Sequence, residues 1–213
     1  LDARLRDEYG VSSELISADL SVRDDVDRVC ERLADGDRPV TALVNNAGFG
    51  LRGAFLATST DEEQRLLDVM VVAVMRLSKA ALPGMVERGS GTVMNVSSVA
   101  GFLTAGTYSA AKAWVTSFTE GLAAELDGTG VRVTAVCPGY VHTEFHQRAG
   151  IDMSKLNSWM WLEVPQVVDQ AMRDLAVGRP VSVAGPQYKA TVFALRHGPR
   201  IVNRRVVRAR RTN

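Results

Sequence analysis

Thr92-Val93-Met94-Asn95-Val96-Ser97-Ser98-Val99-Ala100-Gly101, followed by Tyr108-Ser109-Ala110-Ala111-Lys112, is the stretch that decides the fold. Its first five residues read as a strand that runs into a serine-rich turn. Tyr108–Leu126 reads as a helix. Residues four apart on a helix share a face, so the Lys112 ammonium can lie near the Tyr108 phenol. A nearby cation lowers a phenol's ordinary pKa of about 10. A phenol so tuned can give a proton to a carbonyl oxygen, or take one back. A serine at the strand end, ten residues upstream of the tyrosine, can hydrogen-bond the same oxygen. Taken alone, each pattern has a plainer explanation in a surface Tyr–Lys pair and a serine turn.

Outward from this stretch the same alternation repeats. Residues 1–9 close a helix at Gly10, Glu14–Leu20 reads as a short strand, and Arg23–Ala34 is helical. Thr41–Val44 is a strand ending in Asn45-Asn46-Ala47-Gly48. Asp61–Arg88 supports a long helix, with Thr60 as N-cap and Glu63 completing a capping box, and with Pro83 and Gly84 loosening its last turns. Val131–Cys137 is a strand ended by Pro138-Gly139-Tyr140-Val141-His142-Thr143, and a helix near Pro165–Ala176 precedes a strand at Val181–Ala184. Strands alternating with helices imply an α/β fold, a doubly wound parallel sheet covered by helices. In such sheets ligands bind at the carboxyl ends of the strands, where Asn46–Gly48, Ser97-Ser98 and Pro138–Thr143 all fall.

Four motifs in this order resemble the short-chain dehydrogenase/reductase superfamily, from residue 1 to about residue 190. The resemblance implies a Rossmann-like fold and an oxidoreductase that uses NADP or NAD to reduce a ketone to an alcohol. By similarity Tyr108 is the acid/base, and Lys112 holds the nicotinamide ribose and tunes Tyr108. Ser98 polarises the carbonyl, and is preferred to Ser97 because the family pattern Ser-x-x-Gly matches Ser98 and Gly101. Asp19 and Leu20 match the pair that touches adenine. Asn46, Ala47 and Gly48 line the adenosine ribose, and Pro138, Gly139, Val141 and Thr143 contact the nicotinamide side. Relatives often form homo-oligomers through the helices at 61–88 and 108–126.

Three departures stand out. The family's first βαβ unit with its glycine-rich phosphate loop, about 30 or more residues, is absent, so the chain reads as an N-terminally truncated domain. Asp68-Val69-Met70-Val71 carries Met70 where the family usually has an Asn that holds a relay water; the expectation is a weakened proton relay. The short loop Phe102–Thr107 resembles a lipid-related branch of ketoacyl reductases, as does the ending Val183–Lys189, and implies a small lipophilic carbonyl substrate. Met153, Leu156, Trp159, Met160, Trp161 and Leu162 cluster where the family places its substrate lid.

The chain has 213 residues, 46% apolar and 23% charged, ordinary for a globular protein. No run approaches the roughly 18 apolar residues of a membrane span, and no signal peptide opens the chain. Cys30 and Cys137 are far apart and read as reduced thiols of a cytoplasmic protein. The pair His142 and His146 lacks a third ligand, so no metal site is expected. One domain spans residues 1–195. Residues 196–213 form a basic tail with seven arginines and no acid, while the body is mildly acidic. The tail reads as a solvated segment, or as a short basic amphipathic helix on an anionic membrane surface. Nucleic acid is not expected, because no aromatic residue lies among the arginines to stack on bases. Two rival readings are a cofactor-binding protein of the same fold with weak or no turnover, suggested by Met70, and a membrane-surface binding protein.

Overall fold

A computed structural model describes residues 2–145 and 157–197. Helices α1 (Asp2–Tyr9) and α2 (Arg23–Ala34) precede strand β1 (Ala42–Asn45). Helix α3 (Thr60–Leu67) passes through a π-helical turn (Asp68–Val72) into α4 (Ala73–Glu87). Strand β2 (Gly91–Val96), α5 (Gly106–Glu125) and β3 (Val131–Val136) follow. A short strand β4 (Tyr140–Val141) is matched by β5 (Trp161–Leu162), and α6 (Val164–Ala176), β6 (Val181–Ser182) and α7 (Pro186–His197) complete the described chain. The main sheet is parallel in the order β1-β2-β3-β6, and β4-β5 form a separate parallel pair.

Strand alternation sets the layers. Leu43, Val93 and Val133 stand in register across β1, β2 and β3. They meet Val26 of α2 and Ala73, Leu77, Ala81 and Met85 of α4 in one apolar cluster. Burying a side chain such as fully buried Met85 contributes about 1.5–3 kcal/mol. Two residues on, the same face turns polar. Asn45 donates through Nδ2 to Asn95 Oδ1 at 2.8 Å, and Asn95 Nδ2 donates to Thr119 Oγ1 of α5 at 2.9 Å. Buried amides need partners, and these supply one another's, fixing the strand ends to α5. The opposite face carries Val44, Met94, Val96 and Val136, which border a cavity.

Four expectations are corrected. Glu14–Leu20 forms no strand: a strand needs a neighbour for its ladder, and no described segment pairs with it. The capping box of α3 lies one residue earlier than expected: Ser59 Oγ accepts from Glu62 N, and the Glu62 carboxylate accepts from Ser59 N. Glu63 instead accepts from the Thr58 hydroxyl. The helical path Thr60–Glu87, interrupted only by the π-turn, is long and apolar enough to cross a membrane by length and composition. Its apolar stripe, Leu66, Val69, Met70, Ala73, Leu77, Ala81 and Met85, is however taken up by the two clusters of the core. Finally α4 runs on through Pro83 to Glu87 without loosening.

Candidate active site

The carboxyl ends of β1, β2 and β3 open into one cavity of about 960 Å³. Asn46, Gly48, Ser98, Tyr108, Lys112, Pro138, Gly139, Val141 and Thr143 all border it. Three other residues singled out in the sequence do not. The Asp19 carboxylate accepts from the Ser21 hydroxyl and amide and from Arg65, contacts that hold its carboxyl below the usual range. Leu20 packs between two apolar clusters, and Ala47 is exposed beside the cavity.

Adjacent serines at the end of β2 point to opposite sides. Ser97 is buried, donating to the Lys112 carbonyl at 2.7 Å and bonding Thr116 Oγ1. It is a strut between β2 and α5. Ser98 faces the cavity; its Oγ accepts from Ala100 N at 3.1 Å and points its proton at the Pro138 carbonyl at a long 3.5 Å. That weak bond leaves the hydroxyl ready to turn to a better acceptor. The turn Val99–Phe102 lies directly against α5. A Cβ at Gly101 would fall 2.8 Å from the Lys112 carbonyl carbon, so glycine permits the approach that sets Ser98 opposite Tyr108.

Burial raises the Tyr108 pKa, and a hydrogen bond with the Ser98 hydroxyl opposes the rise. This corrects the expectation that Lys112 lowers it. The ammonium lies 5.9 Å from the ring centroid and turns away, donating to the Val96 carbonyl at 2.6 Å. Burial lowers Lys112 itself to about 8. Tyr108 is therefore held as a neutral phenol, the proton-donating form. Met70 is 1% exposed and packs with Leu66, Val69 and Ala111, with Tyr108 resting on the cluster. A Cβ added at Gly48 would stand 3.5 Å from Met70 Cε and 3.6 Å from Lys112 Nζ, so glycine keeps open the space in front of the lysine.

The far wall is apolar: Leu103, Phe145, Met160, Val164, Val168 and Met172. Of the expected lid residues, Met160 borders the cavity, Trp161 stacks on His142 at 4.3 Å, and Leu162 is core. Trp159 is exposed. Met153, Leu156 and His146 lie outside the described residues, as do residues 198–213 of the basic tail. Arg196 belongs to α7 and pairs with Glu120 at 2.8 Å. Leu195 and Thr191 of the same helix also border the cavity, a role that only the tertiary fold discloses. Among the described residues no cluster of metal ligands exists. Cys137 is a buried free thiol raised to about 11 by burial, and Cys30 is free and half-buried.

The short chain dehydrogenase family model matches residues 2–153. Over 106 residues the chain is 42% identical to the ketoacyl reductase HetN of Nostoc, an overlap of 48% of this chain and 37% of that one. The chain thus spans little more than a third of that relative. A short-chain dehydrogenase from Sphingobium yanoikuyae, solved with NADPH, superposes with a TM-score of 0.79 at 36% identity, covering 85% of this chain and 71% of the other. A bulky-bulky ketone specific alcohol dehydrogenase from Comamonas testosteroni superposes with a TM-score of 0.76 at 28% identity, covering 92% and 76%. With a family model matched across most of its length and the fold shared with such enzymes, the chain belongs to the short-chain dehydrogenase family.

Proposed function

We propose that the full-length protein is an NAD(P)(H)-dependent reductase of apolar ketones. The observation that carries this reading is the convergence of Ser98, Tyr108 and Lys112 on a single cavity whose far wall is aliphatic and aromatic. The residues present suit a nicotinamide nucleotide. The Lys112 ammonium and the Asn46 amide offer donors suited to ribose hydroxyls. Bare Gly48 gives a flat approach, and the hydroxyl of Thr143 suits a carboxamide. Bound, that group supplies the hydride. The NADPH held by the Sphingobium relative supports NADP or NAD as the cofactor.

The chain's own residues supply the rest. Ser98 turns its hydroxyl from the Pro138 carbonyl to the ketone oxygen, polarising it and bearing charge as it develops there. Tyr108, kept protonated by burial, donates its phenolic proton to that oxygen. Lys112, anchored by Val96, sets a positive charge beneath the forming phenolate. The apolar side chains of the far wall orient the ketone's substituents. Trp114 and Phe118 stack at 4.6 Å on a half-buried face of α5, a surface suited to homo-oligomer formation.

The test is oxidation of NADPH or NADH by the full-length protein with aryl and long-chain alkyl ketones. Tyr108→Phe should lower turnover by about 10²–10⁴-fold, the usual worth of a general acid, while cofactor affinity stays within a few-fold. Near-normal turnover in the variant would refute the assignment.

A further inference from the structure

Tyr188, on the first turn of α7, is 4% exposed and lies outside the catalytic group. Its hydroxyl makes two backbone hydrogen bonds to two different segments. It accepts from Tyr140 N at 3.0 Å and donates to the Met160 carbonyl. Its ring covers Gly139, where an added Cβ would fall 2.1 Å from Tyr188 Cζ. Tyr140 and Gly139 belong to the segment after β3, on the nicotinamide side of the proposed site. Met160 belongs to the turn Ser158–Met160, which borders the apolar wall.

Among the described residues the same two segments also meet through a short ladder and ring contacts, with the Tyr140 ring 6.1 Å from that of Trp161. β4 and β5 pair over two residues each, His142 N donates to the Leu162 carbonyl at 3.0 Å, and His142 stacks on Trp161. A two-residue ladder is marginal by itself. Next to Tyr188, Gln187 Nε2 donates to the Trp159 carbonyl at 3.2 Å, so the start of α7 grips the turn twice. A phenol is suited to this role, because a single hydroxyl donates and accepts at once while its ring fills the gap left by glycine.

We infer that Tyr188 is a positioning residue that staples the nicotinamide-side segment Pro138–Val141 to the ketone-side turn Ser158–Met160, fixing the distance between the two reactants' walls. The inference rests on the proposed function for its catalytic consequence. Hydride transfer requires reacting atoms about 3–3.5 Å apart, and a misplacement of about 1 Å can cost roughly 10²-fold. A loosened staple should therefore reduce the chemical step more than the binding of either reactant.

Tyr188→Phe keeps the ring on Gly139 and removes both hydrogen bonds. In the full-length protein it should lower kcat by about 10–100-fold, with the KM for ketone and the Kd for NADPH each within about threefold. Val192→Ala, one turn along on the same buried face, is the stability control and should lower the melting temperature without this kcat loss. A second readout needs no activity. With Trp114→Phe and Trp159→Phe in the background, Trp161 is the remaining indole of residues 1–213, and Tyr188→Phe should raise its quenching by acrylamide about twofold. Unchanged quenching would overturn the staple. Raised quenching with unchanged kcat, or a kcat loss that Val192→Ala reproduces, would overturn the positioning role. A wild-type protein that binds NADPH but reduces no ketone would overturn the proposed function and the catalytic consequence together, leaving the quenching to decide the staple alone.

Discussion

The Lys112 ammonium is bonded to the carbonyl of Val96, the last residue of β2, at 2.6 Å, and not to the phenol one helical turn before it. The charge is held by the strand end, and burial costs it affinity for its proton, bringing its pKa from 10.5 to about 8. A lysine whose folded value lies below its unfolded one destabilises the fold fully below about pH 8, and that cost is relieved as pH rises toward about 10.5. The stability of the wild type relative to Lys112→Met should therefore rise across this window. Urea midpoints at pH 7 and pH 10 measure it, and a difference independent of pH would contradict a buried ammonium.

Gly101→Ala introduces a methyl 2.8 Å from the Lys112 carbonyl carbon and 2.9 Å from Ala113 N. Both are helix backbone atoms that cannot swing aside. Overpacking of this kind costs about 1–3 kcal/mol and pushes the Ser98 turn away from Tyr108. Steady-state kinetics should show kcat reduced at least about 10-fold with cofactor affinity nearly retained.

Asn95→Leu removes the middle of the polar chain between β1 and α5. The amide of Asn45 loses its 2.8 Å acceptor and Thr119 loses its donor, both in the interior. Asn45 keeps only its 3.3 Å bond to the Ser78 hydroxyl and Thr119 only its own bond to the Val115 carbonyl, so each lost hydrogen bond costs about 1 kcal/mol. Chemical denaturation should register a loss of that order, whereas an Asn45→Val, Asn95→Leu double variant should lose less than the sum of the single changes.

Met70→Asn places an amide beside Lys112 in a cluster otherwise apolar. Stability should fall by about 1–3 kcal/mol for the imperfectly paired polar group. Because the amide offers water and Lys112 an acceptor, kcat should rise more than KM changes. Loss of both activity and stability would assign Met70 to packing alone.

Lengthening the alkyl chain of a ketone should lower KM stepwise, by at most about 0.8 kcal/mol per methylene buried against Val164, Val168 and Met172. A preference for short or sugar-like ketones would remove the apolar wall from substrate recognition.

Much of the architecture was legible because it is written in local pattern. Arg23–Ala34 is a helix over the span its periodicity gives, and Thr92–Val96 and Val131–Cys137 differ from the observed strands by one residue. The motifs after β1, β2 and β3 could be read because strand ends carry short, turn-prone signatures. Glu14–Leu20 misled because a strand depends on a partner that its own sequence does not reveal. The ionisation of Tyr108 misled for a related reason. Spacing puts Lys112 on the right face but cannot say which acceptor its flexible stem chooses. Tyr188 stood in the ending Val183–Lys189 that carries part of the resemblance, but its contacts were hidden, as were those of Leu195, since both reach the segment after β3 or the cavity through the path of α7.

Ser97 and Ser98 are chemically identical neighbours with opposite duties, one locked in the interior and one facing the cavity. Nothing in their side chains assigns these duties; the pleat of β2 does. A shift of β2 by a single residue against β1 and β3 would exchange the places of the two serines, and would also drive Asn95 out of reach of Asn45 and Thr119. The cavity-facing hydroxyl is thus proofread by the interior: a chain that misaligns Ser98 cannot at the same time satisfy its buried amides, so molecules with Ser98 misplaced are also the ones that fail to stay folded.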